Sequence, residues 1–317
     1  MKNAKVAFIG LDNAGKTSSL IALKKKYNFQ DEIDDLKPTI RIERTSFRFL
    51  NMDIFHHDFG GQEQYRTDYL KHKDRFLSNT DLIFYVVDIQ DQERFDESVT
   101  YFNEIAEYFK KNEIKLPIIV MLHKFDPKIR EDKEIIHGIM DVKKRITEWL
   151  PHHNIYYFET SIYDLYSLID AFSFGMAQIF ERRDLIEKFI ETTAGEFETT
   201  IAMLLFDENG VAISEFYKPH LSNPERNKIY EIFLNVEKRI KDSTSNVYEF
   251  SDWINYDTRI SGVIQSFKVG YLNFYVLLVI EEVSEDEAVE LLDKFQSYRL
   301  DLSDILKGLL SDSSVSI

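Results

Sequence analysis

The sequence predicts an α/β protein in two parts: a mostly parallel sheet with one antiparallel edge strand and helices on both faces over residues 1–181, then a smaller α/β sandwich over residues 182–317. Three observations predict it. Short apolar runs without polar alternation recur through the first half, separated by helix-period patterns, as strands buried on both faces require. The stretch "GLDNAGKT", residues 10–17, stands between such a run and a helical pattern. After about residue 198 the order becomes hairpin, helix, three strands and helix, a different layer arrangement.

Taken in order, "KVAFIG" (5–10), "DLIFYVVD" (81–88), "LPIIVMLHK" (116–124) and "NIYYFETS" (154–161) are the buried strands. "RIERTSFRF" and "MDIFHHD" alternate apolar and polar residues around Leu50 and Asn51, which predicts the antiparallel hairpin at the sheet edge. Residues 163–198 place Leu165, Leu168, Ile169, Phe172, Met176, Ile179 and Phe180 at spacings of three and four. Neither proline nor a glycine-rich linker interrupts that pattern, so a helical, fairly stiff domain junction is expected near residue 182.

In the second part, "TTIAMLLFDENGVAISEFY" (199–217) reads as two strands around Glu208-Asn209-Gly210. A helix over 223–242 precedes strands near 246–254, 258–267 and 271–283. The last helix starts at Ser284, capped with Glu287, and buries Leu291, Leu292, Phe295, Tyr298, Leu302, Ile305, Leu306 and Leu309.

Composition narrows the function. With 39 Lys and Arg against 55 Asp and Glu, a net charge of −16 argues against nucleic acid as a partner and against direct attraction to anionic lipid. The absence of cysteine excludes disulfides, thiolate catalysis and cysteine-ligated zinc, and suits a cytoplasmic protein. No stretch reaches the roughly 18 apolar residues of a membrane span. Lys2 is not the glycine that myristoylation needs, and "SSVSI" holds no prenylatable cysteine. Membrane association is therefore expected only through partners. The pairs His56-His57 and His152-His153 are not expected to chelate a metal, because neighbours on a strand point to opposite faces.

"GLDNAGKT" fits G-x-x-x-x-G-K-[ST] in the strand-to-helix context that gives the pattern its meaning. Gly10 and Gly15 let the backbone turn inward, so that the segment Asp12, Asn13, Ala14, Gly15, Lys16, Thr17 and Ser18 can present N–H groups to phosphate oxygens at a helix N-terminus. Lys16 would reach the β- and γ-phosphates, and the Thr17 hydroxyl would bind Mg²⁺. Four further segments resemble a GTPase in order and roughly in spacing, and the resemblance implies that Thr39 in "KPTI" closes over Mg²⁺ and the γ-phosphate. In "DFGGQ", Asp58 would hold a water of the Mg²⁺ shell, the Gly61 N–H would contact the γ-phosphate and Gln62 would orient the attacking water. Lys16, Thr39, Gly61 and Gln62 are thus the candidate catalytic groups.

For the base, Asp126 can accept from the N1–H and exocyclic amine of guanine together, a pair adenine lacks. The Lys124 stem can lie over the ring, and the loop at Thr160, Ser161 and Ile162 can offer an N–H to the guanine oxygen. "HKFD" (123–126) resembles the guanine-reading motif Asn-Lys-x-Asp of small GTPases with His123 in place of asparagine; the resemblance implies that His123 braces the pocket against the phosphate loop and donates to the purine, in a bond sensitive to pH.

Together these residues resemble the Ras-related superfamily of small GTPases. "GLDNAGKT" and "PTI" resemble the Arf family; "TSFRFLNMDIFHHDFGGQ", "LIFYVVDIQD", "LHKFD" and "ETSIYD" resemble the Rag/Gtr GTPases, where His-Lys-x-Asp regularly replaces Asn-Lys-x-Asp. The resemblance, carried by motifs over residues 10–162, implies a small GTPase domain over residues 1–181 and a C-terminal roadblock domain related to longin folds over residues 182–317. It implies GTP or GDP with Mg²⁺ as ligands, homo- or heterodimerisation through the C-terminal domain, and separate activating and exchange proteins. Two departures stand out: His57 replaces a usual tryptophan before Asp58, and Asp12 puts a side chain near the γ-phosphate. Slow unaided hydrolysis is expected, with Arg41 and Arg66 flanking the switch segments. The competing readings are a nucleotide-binding scaffold without significant turnover and an Arf-like trafficking GTPase with an appended longin-like domain.

Overall fold

The computed structural model describes residues 2–25, 42–49, 52–59, 62–149, 154–179, 183–207, 210–242, 251–255, 260–281 and 285–312. Contacts divide the chain into two compact units, one mainly of residues 3–179 and the other mainly of residues 180–317.

In the first unit the described elements are β1 (Lys2–Gly10), α1 (Lys16–Lys25), β2 (Ile42–Phe49), β3 (Met52–Phe59), α2 (Glu63–Lys71), α3 (Lys73–Leu77), β4 (Leu82–Asp88), α4 (Phe95–Lys111), β5 (Ile118–His123), α5 (Lys133–Trp149), β6 (Ile155–Thr160) and α6 (Leu165–Gln178). A six-stranded sheet runs in the order β2-β3-β1-β4-β5-β6. The pairs β1–β4, β4–β5 and β5–β6 are parallel.

The unalternating apolar runs have the expected cause. Successive residues of a strand face opposite ways, and both faces of this sheet are covered. On one side Phe84 stacks between Phe8 at 4.6 Å and Phe172 of α6 at 5.7 Å. On the other, Tyr85 meets Phe102 of α4 edge-on at 5.0 Å and donates its hydroxyl to the Ser98 carbonyl at 2.7 Å. That bond satisfies a fully buried phenol, whose pKa burial pushes far above the usual value. Aromatic pairs of this kind add about 0.5–1.5 kcal/mol beyond the area they bury.

The second unit contains α7 (Arg183–Gly195), β7 (Thr200–Asp207), β8 (Ala212–Tyr217), α8 (Asn223–Asp242), β9 (Ser251–Asn255), β10 (Ile260–Val269), β11 (Leu272–Glu281) and α9 (Glu285–Asp312). Its sheet order is β8-β7-β11-β10-β9 and each of its strand pairs is antiparallel. Tyr230 and Phe233 of α8 pack on Phe206, and Phe233 also meets Tyr275 of β11. The predicted order of helix, two strands, helix, three strands, helix is present. Most of "YLNFYVLLVI" is core: Leu272, Phe274 and Val276 through Ile280 are buried, while Tyr271 is 58% exposed. On α9, Leu302 and Leu306 are buried; the side chains of Leu291, Leu292, Phe295 and Leu309, and the capping Ser284, lie outside the described residues.

The helical stretch read over 163–198 needs correcting. Asp164 caps α6 through the Ser167 N–H, the helix closes at Gln178 with Ile179 as its C-cap, and a second helix opens at Arg183. Periodicity runs through the break because both helices bury faces with the same spacing, and no glycine or proline marks it. Among the described residues, no helix is long and apolar enough to cross a membrane.

Candidate nucleotide site

β1 delivers Gly10 to the C-terminal edge of the parallel strands, where ligands of open α/β sheets bind. The chain must turn there beside β4. A Cβ on Gly10 would sit 2.2 Å from the Val86 carbonyl oxygen, so only glycine fits. Asn13 at φ 58° and Gly15 at φ 95° complete the turn, and α1 opens at Lys16. Lys16 is 5% exposed, its ammonium donating to the carbonyls of Gly10 at 3.1 Å and Leu11 at 2.7 Å. A buried cation held beside a helix N-terminus is suited to an anionic ligand. Thr17 and Ser18 are half-buried on the first turn of α1.

His123, at the end of β5, lies against this loop. A Cβ on Gly15 would come within 2.4 Å of its Cδ2 and 2.7 Å of its Nε2. Its Nε2 faces Ser19 Oγ at 3.4 Å and its Nδ1 faces Thr160 Oγ1 at 3.0 Å. The ring therefore ties the phosphate loop to the end of β6. With 1% of the residue exposed, the ring is buried between the loop and the strand end. The expected pH-sensitive bond is corrected. Burial, aided by the neighbouring Lys124 charge, lowers its pKa to about 3, so the ring is neutral at physiological pH.

That depression has a consequence for stability. The unfolded chain takes up a proton near pH 6.5 and the folded chain does not, so stability is full above that pH and is lost progressively as pH falls towards 3. By about pH 5.5 the wild type should lose ~1.4 kcal/mol that His123→Asn does not lose. Denaturant midpoints of the two proteins followed from neutral pH downward check this; parallel pH profiles would contradict it.

The base pocket forms where β5 and β6 end. Asp126 Oδ1 accepts from Ser161 Oγ at 2.5 Å and Oδ2 from Gln90 Nε2 at 3.1 Å. The same Gln90 amide donates to the Lys124 carbonyl at 2.7 Å, and the Phe125 N–H donates to the Thr160 carbonyl at 3.0 Å. Lys124 adopts φ 64°, a left-handed conformation rare outside glycine and often found at binding sites. Its ammonium donates to Asp88 Oδ2 at 2.6 Å. Within the loop of Thr160, Ser161 and Ile162, the Ser161 N–H donates to Ser167 Oγ at 3.0 Å. Ser161 contributes through its hydroxyl, which fixes Asp126; Ile162 occupies the turn beside it.

Asp12 does not stand alone at the loop's third position. Arg94 Nη2 donates to Asp12 Oδ1 at 2.7 Å, and Arg94 Nε donates to Glu97 Oε2 at 2.8 Å. The other carboxylate oxygen of Glu97 pairs with Arg66 of α2. Arg66 is buried and lies over the Tyr101 ring at 5.3 Å, so it is not poised as a free cation. The bond from Arg94 is the main reason that the Glu97 carboxyl is held below the usual carboxylate range.

Gln62 is the N-cap of α2, half-buried, and its carbonyl accepts from Tyr65 and Arg66. Thr39, Arg41, Gly60 and Gly61 lie outside the described residues, as does the side chain of Asp58 on β3. The sequence reading missed Asp88, Gln90, Arg94, Glu97 and Ser167. Of these only Asp88 carried a local signal, a carboxylate closing a buried strand.

A strand-loop-helix phosphate cradle beside a strand-end carboxylate pocket defines a nucleotide-binding P-loop protein of the α/β class. A family profile described as "Gtr1/RagA G protein conserved region" matches residues 5–236. The chain belongs to this Gtr1/RagA family of G proteins. It is 26% identical to the GTP-binding protein gtr1 of Schizosaccharomyces pombe over 294 residues, 91% of this chain and 92% of that one. It is also 33% identical over 127 residues to ADP-ribosylation factor F of Dictyostelium discoideum, 39% of this chain and 61% of that one. With ADP-ribosylation factor-like protein 3 of Saccharomyces cerevisiae it shares 30% identity over 146 residues, 45% and 69% of the two chains. A solved structure of the Arl6 BBS3 small GTPase from Trypanosoma brucei with bound GppNp aligns at 18% identity and a TM-score of 0.43, covering 56% of this chain and 98% of that one. Arf-like and Rag/Gtr-like features thus coexist, as the motifs predict.

Proposed function

We propose that this protein is a GTP-hydrolysing molecular switch whose nucleotide state controls partner binding and which dimerises through a roadblock/longin-like domain beginning near residue 182. One observation carries the reading. The buried His123 ring lies against Gly15 of the phosphate loop and bonds Thr160 beside the Asp126 pocket, which supports reading the two as halves of one guanine-nucleotide site. The loop N–H groups from Asp12 to Ser18 and the Lys16 ammonium would bind the phosphates. Asp126 would select guanine, with Lys124 along the ring face.

The residues present suit Mg²⁺: Thr17 and Thr39 are hard oxygen donors, and Asp58 would act through a water. Held by these residues, Mg²⁺ would supply charge neutralisation for phosphoryl transfer. Gln62 would orient the attacking water. Among the described residues the arginines nearest the loop and Gln62 are engaged by carboxylates, Arg94 with Asp12 and Glu97, Arg66 with Glu97. The stabilising cation is then supplied by an activating protein, unaided turnover is slow, and an exchange protein is needed to reload GTP. The protein works in the cytoplasm and reaches membranes through partners.

The test is direct. Nucleotide released from the purified protein should be GDP or GTP, and single-turnover GTP hydrolysis should fall at least about tenfold in Gln62→Leu. Turnover unchanged by that substitution would sink the mechanism.

A further inference from the structure

Outside the motif residues, one feature joins the phosphate loop to the neighbouring helix α2. The path runs Asp12 Oδ1 to Arg94 Nη2 at 2.7 Å, Arg94 Nε to Glu97 Oε2 at 2.8 Å, and Glu97 Oε1 to Arg66 Nη2. Arg94 adds a bond to the Asp12 carbonyl at 3.4 Å. Each link is charge-assisted, the class of hydrogen bond about twice as strong as a neutral one. The far end is fixed as well: Arg66 has 9% of its side chain exposed and is held on the Tyr101 ring. Its N–H donates to the Gln62 carbonyl at 3.0 Å.

We infer that Arg94 and Glu97 are positioning residues which lock the first turn of α2, and with it Gln62, to the third position of the phosphate loop, so that each reports the other's state. The chemistry has two parts. Arg94 neutralises Asp12, whose carboxylate would otherwise repel a terminal phosphate, and so favours the triphosphate. Glu97 stands between two guanidinium groups and keeps like charges from separating α2 from the turn that carries Arg94. Because coupling between two sites is reciprocal in binding free energy, a change at Arg66 must alter the preference for GTP over GDP, and the γ-phosphate must alter the order of α2. This rests on GTP being the ligand and on Gln62 orienting water.

The experiment compares wild type, Arg94→Ala, Arg94→Lys, Glu97→Gln and the control Asp96→Ala. Asp96 is on the same turn as Glu97, but its side chain is 90% exposed and pairs with Arg145. Amide hydrogen exchange over residues 63–71 is read with GDP and with a non-hydrolysable GTP analogue, and hydrolysis is read in single turnover. Arg94→Ala does not touch α2, yet exchange there should quicken about tenfold with the analogue bound, hydrolysis should fall by a similar factor, and GDP affinity should stay within about threefold. Arg94→Lys should recover part of both losses; Asp96→Ala should match wild type. Glu97→Gln carries the same test if Arg94→Ala does not fold. Exchange and the GTP-to-GDP preference both within about twofold of wild type in Arg94→Ala and Glu97→Gln would overturn the coupling. A wild type that binds but does not hydrolyse GTP would instead defeat the catalytic reading, and the exchange data would still decide the coupling.

Discussion

Replacing Asp126 by asparagine should lower affinity for guanine nucleotides by about 10³-fold and transfer the preference to xanthine nucleotides. The carboxylate is acceptor-only, so its two oxygens can take the N1–H and the 2-amino group of guanine at once. A carboxamide offers one acceptor and one donor, and its NH₂ would meet the guanine amine donor to donor. Xanthine carries a carbonyl at that position and would accept. The pocket amplifies the effect because Asp126 is oriented from both sides, by Ser161 Oγ at 2.5 Å and Gln90 Nε2 at 3.1 Å. In the variant the amide oxygen keeps the Ser161 hydroxyl, and Gln90 either loses this bond or rotates its amide and gives up its bond to the Lys124 carbonyl, one exposed hydrogen bond in each case. The structural cost is small, so the loss should appear in binding rather than in stability. Titration with fluorescent GDP and its xanthine counterpart measures both sides of the exchange. GDP affinity within about threefold of wild type would show that Asp126 does not read the base.

How far the site was legible follows from how local its determinants are. Gly10 to Thr17 form a contiguous loop whose geometry depends on its own residues and two flanking elements, and Asp126 follows a strand that its apolar run announces. Those positions could be read. Arg94 meets Asp12 across 82 residues and Gln90 meets Asp126 across 36; such pairs exist only once α4 and the β4 end are packed beside the loops. No local spacing encodes them. His123 shows the intermediate case. Its place in the motif was legible, but whether it would touch the ligand or brace the loop depended on burial, which Thr160, Ser19 and Gly15 decide together. The division between α6 and α7 was missed for a different reason: each helix keeps the same periodicity, and the break is made without the residues that usually punctuate one.

Substituting alanine for Gly15 should both destabilise the first unit and disable its phosphate loop, because two independent penalties fall on one methyl group. The backbone at φ 95° is one that L-residues seldom adopt, a strain of about 1–3 kcal/mol. The added Cβ would also stand 2.4 Å from His123 Cδ2, inside any tolerable contact. Relieving it moves a ring held by Thr160 and Ser19, an overpacking cost of about 1–3 kcal/mol. Against a domain stability of about 5–15 kcal/mol the sum should lower the melting temperature by on the order of 10 °C. A double variant separates the two terms. Adding His123→Ala removes the steric clash but leaves the strained φ and abolishes the brace to Thr160. The double variant should therefore melt above the value that adding the two single effects predicts, while GDP binding stays as weak as in Gly15→Ala. Additive melting shifts would mean that Gly15 and His123 do not meet in solution, and with that the reading of phosphate loop and base pocket as halves of one site would lose its physical basis.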